Sequence, residues 1–212
     1  MEKSIPINKT EEYLPALREH KVIADIEERR TEITNQLANM FPEGDYQVIP
    51  NRNLIETVMN LVEFPTAVTG QFDKKYLSLP DKIIISTISQ AQKYFAVQDK
   101  QGNLSNRFVF IANGNPEHIQ IIRQGNEKVV NARLADALWY WNEDTKHPLQ
   151  NWTLHLDNVI FQAKLGTMAE KTKRIIHLVT ALAEELQLTE TQKAKAIRCA
   201  ELCKADLVTN ML

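Results

Sequence analysis

Two charged clusters are the places in this sequence where side-chain type and spacing could do chemistry. Arg133 and Asp136 stand three apart in NARLADA, among apolar neighbours. On a helix that spacing lets them pair and order the element, or line a groove. An arginine whose rotamer is fixed by an aspartate offers two parallel donors to a phosphate or a carboxylate. Glu27, Glu28, Arg29 and Arg30 form the second cluster. Its plain reading is a solvated helix face with local ion pairs; the alternative is contact with RNA phosphate, whose geometry suits a guanidinium. Trp139, Tyr140 and Trp141 follow the first cluster directly. Aromatic rings stack on unpaired bases, but consecutive helix residues point in different directions, so core packing is expected for at least one of them.

The remaining catalytic vocabulary is missing. The six glycines (Gly44, Gly70, Gly102, Gly114, Gly125 and Gly166) are too far apart to cradle a phosphate. The chain lacks the strand–loop–helix ATP signatures of class I synthetases and the Gly-x-Ser-x-Gly nucleophile elbow. His20, His118, His147, His155 and His177 are scattered, with no pair at helical ligand spacing. Cys199 and Cys203, four apart, are the only cysteines. Without nearby histidines they read as buried or half-buried free thiols rather than a zinc site. No catalytic residue and no metal ligand set is assigned.

Composition narrows the class. The chain has 212 residues, enough for a sizeable core, with 43% hydrophobic and 25% charged side chains. Its 25 basic and 27 acidic side chains leave a formal charge of −2, so nothing draws the whole molecule to nucleic acid. Any RNA contact must be a local patch. No apolar run approaches the roughly 20 residues of a membrane helix, and MEKSIPINKT lacks the apolar core of a signal peptide. The sparse cysteines point to a reducing cytoplasm.

These residues need elements to position them. Val22, Ile26, Ile33, Leu37 and Phe41 predict a helix from 22 to 41, ended by Pro42 and Gly44. Asn53 is placed to cap a short helix carrying Leu54, Val58, Leu61 and Val62, which Pro65 stops. Residues 66–72 read as a strand. Pro80 suits the first position of a helix carrying Ile84, Ile88 and Ala91. Residues 94–97 and 107–112 flank DKQGN and predict a hairpin. Pro116 opens a helical region, Gly125 breaks it, and a long helix from 126 to 144 carries both Arg133 and Asp136. Beyond Pro148 three helices are expected. One holds Leu154, Val159, Ile160 and Phe161; the others start with the reciprocal caps Thr167/Glu170 and Thr189/Gln192. The last carries Ile197, Ala200, Leu207 and Val208 and ends uncapped at Leu212, as though its partners follow it. The expected fold is α+β, with a mixed sheet-and-helix domain over 1–148 and an all-helical segment over 149–212.

From residue 22 onward the order of segments resembles the beta subunit of the tetrameric bacterial glycyl-tRNA synthetase. EERR, VEFPTAVTGQFDKKYLSLP, ISTISQAQKYFAVQDKQGNL and FVFIANGNPE come first; QGNEKVVNARLADALWYWNEDTKHPL, VIFQAKLGTMAEKTKRI and AELCKADLVTNML follow in register. That family joins glycine to tRNA(Gly) with ATP and Mg, and the resemblance places that chemistry on the alpha subunit, with no cofactor in this stretch. It implies a non-catalytic part that contributes to tRNA binding and to assembly with the alpha subunit and the remainder of the beta subunit. Arg133, Asp136, Arg29 and Arg30 are the expected tRNA contacts. It also implies an editing-type domain like that of phenylalanyl-tRNA synthetase, leading into the first helices of an HD-type domain. The chain departs from the family at Ala91, where a histidine is usual, and at Ala112, Asn113 and Gly114, which run into a shortened loop. An HD-type phosphohydrolase is an alternative, but Ala205 and Asp206 stand where its His–Asp pair would be, and one carboxylate cannot hold a divalent metal for hydrolysis. An interaction module without RNA binding is the other.

Overall fold

A computed structural model describes residues 6–114 and 116–211. The fold is α+β, and the chain divides into two compact units, Met1–Leu138 and Trp139–Leu212. The first unit runs through α1 (Tyr13–Glu19), α2 (Ile26–Ala38), β1 (Tyr46–Val48), α3 (Arg52–Val58) and β2 (Pro65–Gln71). A 3-10 turn (Lys74–Ser78) leads to α4 (Asp81–Ser86), which continues as a π-helical turn (Thr87–Ala91). Then come β3 (Phe95–Asp99), β4 (Leu104–Asn113) and α5 (Ile119–Asp144), whose last turns belong to the second unit.

The sheet is antiparallel throughout, in the order β1-β3-β4-β2. Alternation along its strands sends Phe95, Val97 and Val109 to one face, where they pack with Ile33 and Leu37 of α2 and Leu54 and Val58 of α3. Burial of a side chain of this size contributes about 1.5–3 kcal/mol. On the other face Tyr94 stacks on Phe108, ring centroids 5.4 Å apart. Gly70 lies opposite Phe108, and a Cβ there would stand 2.6 Å from the ring. Only glycine fits beneath that ring without moving it.

The predicted hairpin forms: β3 pairs with β4 across a turn in which the Asp99 carboxylate accepts from Gln101 N and Asn103 N, both at 2.9 Å. The predicted strand at 66–72 is β2. Helix boundaries shift for local reasons. Asp25 accepts from Glu27 N and Glu28 N, so α2 starts at Ile26 rather than Val22; Ile23 instead donates to Glu63 O at 2.8 Å. Asn51, not Asn53, caps α3 by accepting from Leu54 N at 3.0 Å. Pro80 is the cap residue of α4 rather than its first helical one. Gly125 does not break the helical region: α5 runs unbroken for 26 residues. A glycine costs a helix only about 1 kcal/mol, and burial of Val130, Leu134 and Ala137 outweighs that.

β2 is an edge strand, so alternate backbone groups face away from β4. Gln36 of α2 reaches them: its Oε1 accepts from Ala67 N at 2.6 Å and its Nε2 donates to Pro65 O at 3.0 Å. Further along, Glu127 and Asn131 of α5 accept from Gln71 N at 3.0 Å and Asp73 N at 2.9 Å.

The second unit holds α6 (Leu149–Trp152), β5 (Ile160–Gln162), β6 (Gly166–Thr167), α7 (Met168–Glu185) and α8 (Glu190–Leu202), with 3-10 turns at Thr153–Asn158 and Ala205–Val208. It is not all-helical. Where a helix through Leu154, Val159, Ile160 and Phe161 was expected, β5 and β6 pair as a small hairpin. Isoleucine and phenylalanine favour strands, and Gly166 (φ +81°) supplies the left-handed turn. Both reciprocal caps form, Thr167 with Glu170 and Thr189 with Gln192. The end of the chain is tied rather than loose: the Asp144 carboxylate accepts from Asn210 N and Nδ2 and from Met211 N, at 2.8–2.9 Å. Leu212 lies outside the described residues. Exposed apolar surface lies along α7 at Leu178 and Leu182, at its cap residue Leu186, and near the chain end at Leu207.

Two substitutions test this account. Gly125 is exposed, with open space where a Cβ would go, so Gly125→Ala will stabilise the first unit by about 0.5–1 kcal/mol in urea unfolding. Gln36→Ala leaves Ala67 N and Pro65 O without their partners. It will destabilise by about 1–3 kcal/mol, read as a lower denaturation midpoint at unchanged slope.

Candidate functional site

Arg133 and Asp136 sit on the middle of α5, in its first-unit part. The helical period puts Val130, Leu134 and Ala137 on the buried side and Glu127 and Asn131 on the flank that grips β2. Arg133 and Asp136 fall on the opposite flank, and both are exposed. The mutual ion pair their spacing allowed is not made. Among the described residues neither side chain has a hydrogen bond or ion pair. Arg133 therefore presents a free guanidinium on a helix fixed from its far side.

Arg29 and Arg30 are placed differently. The Arg29 guanidinium donates to Val62 O at 2.8 Å, closing the start of α2 onto the end of the α3 segment. Arg30 bonds Glu56 of α3 at 2.9 Å and also Glu27. Those hydrogen bonds, Glu56 first and Glu27 second, hold its pKa above the usual arginine value. Both arginines are thus committed to bonds within the unit. Trp139, on the second-unit end of α5, is exposed and meets Tyr140 edge-on at 5.1 Å; Trp141 is half-buried.

A cleft that the sequence reading missed opens beside β1. It measures about 320 Å³, with walls from α2 (Thr34, Leu37, Ala38), β1 and Phe95. The arm between Gly44 and Pro50 alternates Tyr46, Gln47, Val48 and Ile49, a three-residue strand too short to stand out by pattern. Arg107 lies over the Tyr46 ring at 4.7 Å and Phe41 packs against it at 5.7 Å, fixing one end of the cleft.

Among the described residues no group of three or more histidine, cysteine or acidic side chains could hold a metal ion. Asp206 is exposed in its 3-10 turn. Among the described residues no helix is long and apolar enough to cross a membrane. Cys199 and Cys203 are both exposed, against the expectation of buried thiols. α8 buries its Ala200 side, and the cysteines lie off that side.

Comparison with known proteins decides the family. The glycyl-tRNA synthetase beta subunit family matches residues 1–212. The glycine–tRNA ligase beta subunit of Dictyoglomus thermophilum is 43% identical over 208 residues, covering 98% of this chain and 30% of that protein. That of Lactiplantibacillus plantarum is 41% identical over 201 residues, covering 95% of this chain and 29% of its own length. That of Listeria monocytogenes is 39% identical over 210 residues, covering 99% and 30%. The chain belongs to the glycyl-tRNA synthetase beta subunit family. It spans about 30% of the length of the curated relatives it matches.

Two of the segments that carry the family resemblance build the α5–β2 contact. FDKKYLSLP leaves β2 at Asp73, which caps the 3-10 turn by accepting from Lys75 N at 3.0 Å, and then buries Tyr76 and Leu79. That backbone bond and the Lys75 ammonium hold the Asp73 carboxyl below its usual value. QGNEKVVNARLADA is the stretch of α5 bearing Glu127, Asn131, Arg133 and Asp136. Ala91, where the resemblance expects histidine, closes the π-helical turn. In this beta-subunit chain both thiols will react with a water-soluble disulfide reagent in the native state, two per chain and without denaturant. A native count of zero would contradict the exposure of Cys199 and Cys203.

Proposed function

We propose that this chain is the part of a glycine–tRNA ligase beta subunit that helps bind tRNA and assemble with the alpha subunit. It carries no catalytic group of its own; aminoacylation with ATP and Mg belongs to the alpha subunit. In this reading residues 1–148 form the editing-type domain and residues 149–212 begin the HD-type domain. Family membership supports the ligase assignment. The observation that carries the tRNA part is Arg133, an exposed guanidinium with no partner among the described residues. It stands on a helix whose other flank is bonded to the sheet edge through Glu127 and Asn131. Holding a donor in place before a phosphate arrives lowers the entropy cost of the contact. Arg29 and Arg30, already bonded to Val62, Glu27 and Glu56, support the α2–α3 contact rather than RNA.

The test uses the assembled complex of both subunits. Arg133→Ala will weaken tRNA binding and reduce the slope of log affinity against log salt by about 0.7–0.9, the loss of one phosphate contact. Melting temperature will hold, because the side chain bonds nothing among the described residues. An unchanged slope would end the Arg133 assignment. Glycylation by this chain without an alpha subunit would end the functional reading as a whole.

A further inference from the structure

The two edges of the four-stranded sheet are finished differently. Along β2, Pro65 O, Ala67 N, Gln71 N and Asp73 N each meet a side chain of α2 or α5, and among the described residues only the middle of the row, around Thr69, goes without one. Along β1 the outward-facing groups meet no partner among the described residues. Ile49 N donates to Ala96 O at 2.8 Å, and the register continues through Gln47 opposite Gln98. Bonded and non-bonded pairs alternate on an antiparallel ladder. Tyr46, opposite Asp99, and Val48, opposite Val97, therefore turn their N–H and C=O groups away from β3. Among the described residues no hydrogen bond reaches those groups.

The cleft of about 320 Å³ lies along this same strand, lined by Leu37, Phe41, Val48, Ile49, Ile55 and Phe95. Open backbone groups beside an apolar groove define one kind of guest: an extended chain that bonds through its backbone and sets alternate side chains into the groove. We propose that β1 is a strand-addition edge, filled by an extended segment of the beta-subunit polypeptide that lies outside these 212 residues. The guest pairs with Tyr46 and Val48 and lodges an apolar side chain in the cleft. Its source follows from length. The matched stretch is 30% of the Dictyoglomus thermophilum subunit, so most of that polypeptide is tethered to this unit. A tether presents the guest at an effective concentration on the order of millimolar, where a short strand with few bonds can still dock. The inference rests on family membership and not on the tRNA role of Arg133, which a separate binding experiment reads.

Hydrogen exchange tests it in a full-length beta subunit carrying this sequence over the matched stretch. The Tyr46 and Val48 amides will exchange at least about tenfold more slowly there than in the 212-residue chain. The Gln47 amide, bonded within the sheet, will be equally protected in both. Ala38 and Thr34 are exposed and line the cleft, so Ala38→Trp or Thr34→Trp fills it from either of two turns of α2. Each will return Tyr46 and Val48 to the faster rate while Gln47 stays protected. Equal rates in the two chains would overturn the proposal, as would protection that survives both tryptophans. Protection that appears only on adding the alpha subunit, or only as concentration rises, would assign the edge to a different occupant and overturn it equally.

Discussion

An antiparallel sheet of four strands leaves two rows of backbone donors and acceptors pointing outward, and much of the first unit is organised by how the two ends of one row are satisfied. Burying a backbone amide without a partner costs more than most single contacts return. Gln36 answers this at one end of β2, Glu127 and Asn131 at the other. Three side chains therefore place two helices: α2 cannot roll without leaving Ala67 N bare, and α5 cannot slide without releasing Gln71 and Asp73. Hydrophobic burial brings these helices to the sheet. The amide bonds fix their position along it.

That fixation explains why α5 can carry exposed chemistry. Its buried side holds Val130, Leu134 and Ala137, one flank grips β2, and the opposite flank has positions whose side chains bond nothing among the described residues. Arg133 and Asp136 occupy that flank. A helix anchored on only one line could rotate; one anchored by both an apolar stripe and a polar flank presents the third side in a set direction. In the second unit the tying is done by local caps and by Asp144, whose carboxylate takes three donors from the end of the chain. The leucines left exposed along α7 are surface that these internal ties do not use.

What could be read from sequence follows the same division between local and distant causes. The hairpin, β2 and both reciprocal caps were legible because their signals lie within a few residues: a Gly-containing turn, alternation, a threonine three before a glutamate or glutamine. β1 was not, because three residues are too few for alternation to register and its pairing with β3 joins distant positions such as Tyr46 and Asp99. The run at Ile160 and Phe161 looked helical by composition and became a strand because Gly166 turns the chain back on it. Gly125 looked like a break because the burial that overrides it depends on a sheet elsewhere in the sequence. The charged residues divide in the same way. Nothing in EERR says that Arg30 will find Glu56, twenty-six residues on, whereas Arg133 finds no partner among the described residues. The residue type was readable; the free or committed state of its charge was not.

α2 joins the bonded sheet edge, the α3 segment and the cleft. Its Gln36 secures the β2 edge, its Arg29 and Arg30 tie it to the α3 segment, and its Thr34, Leu37 and Ala38 form a wall of the cleft beside β1. One helix thus covers the sheet from one edge to the other, held at the β2 end by backbone bonds and at its start by guanidinium bonds. The cleft is the space left where that cover ends, between α2, α3 and a strand of only three residues. Short strands protect an edge against indiscriminate pairing because they offer few bonds. The same shortness makes any guest depend on the cleft for its affinity, and an apolar groove selects by side chain what a backbone edge alone cannot. Edge and groove together form a selective surface, and α2 is fixed at both ends before anything binds it.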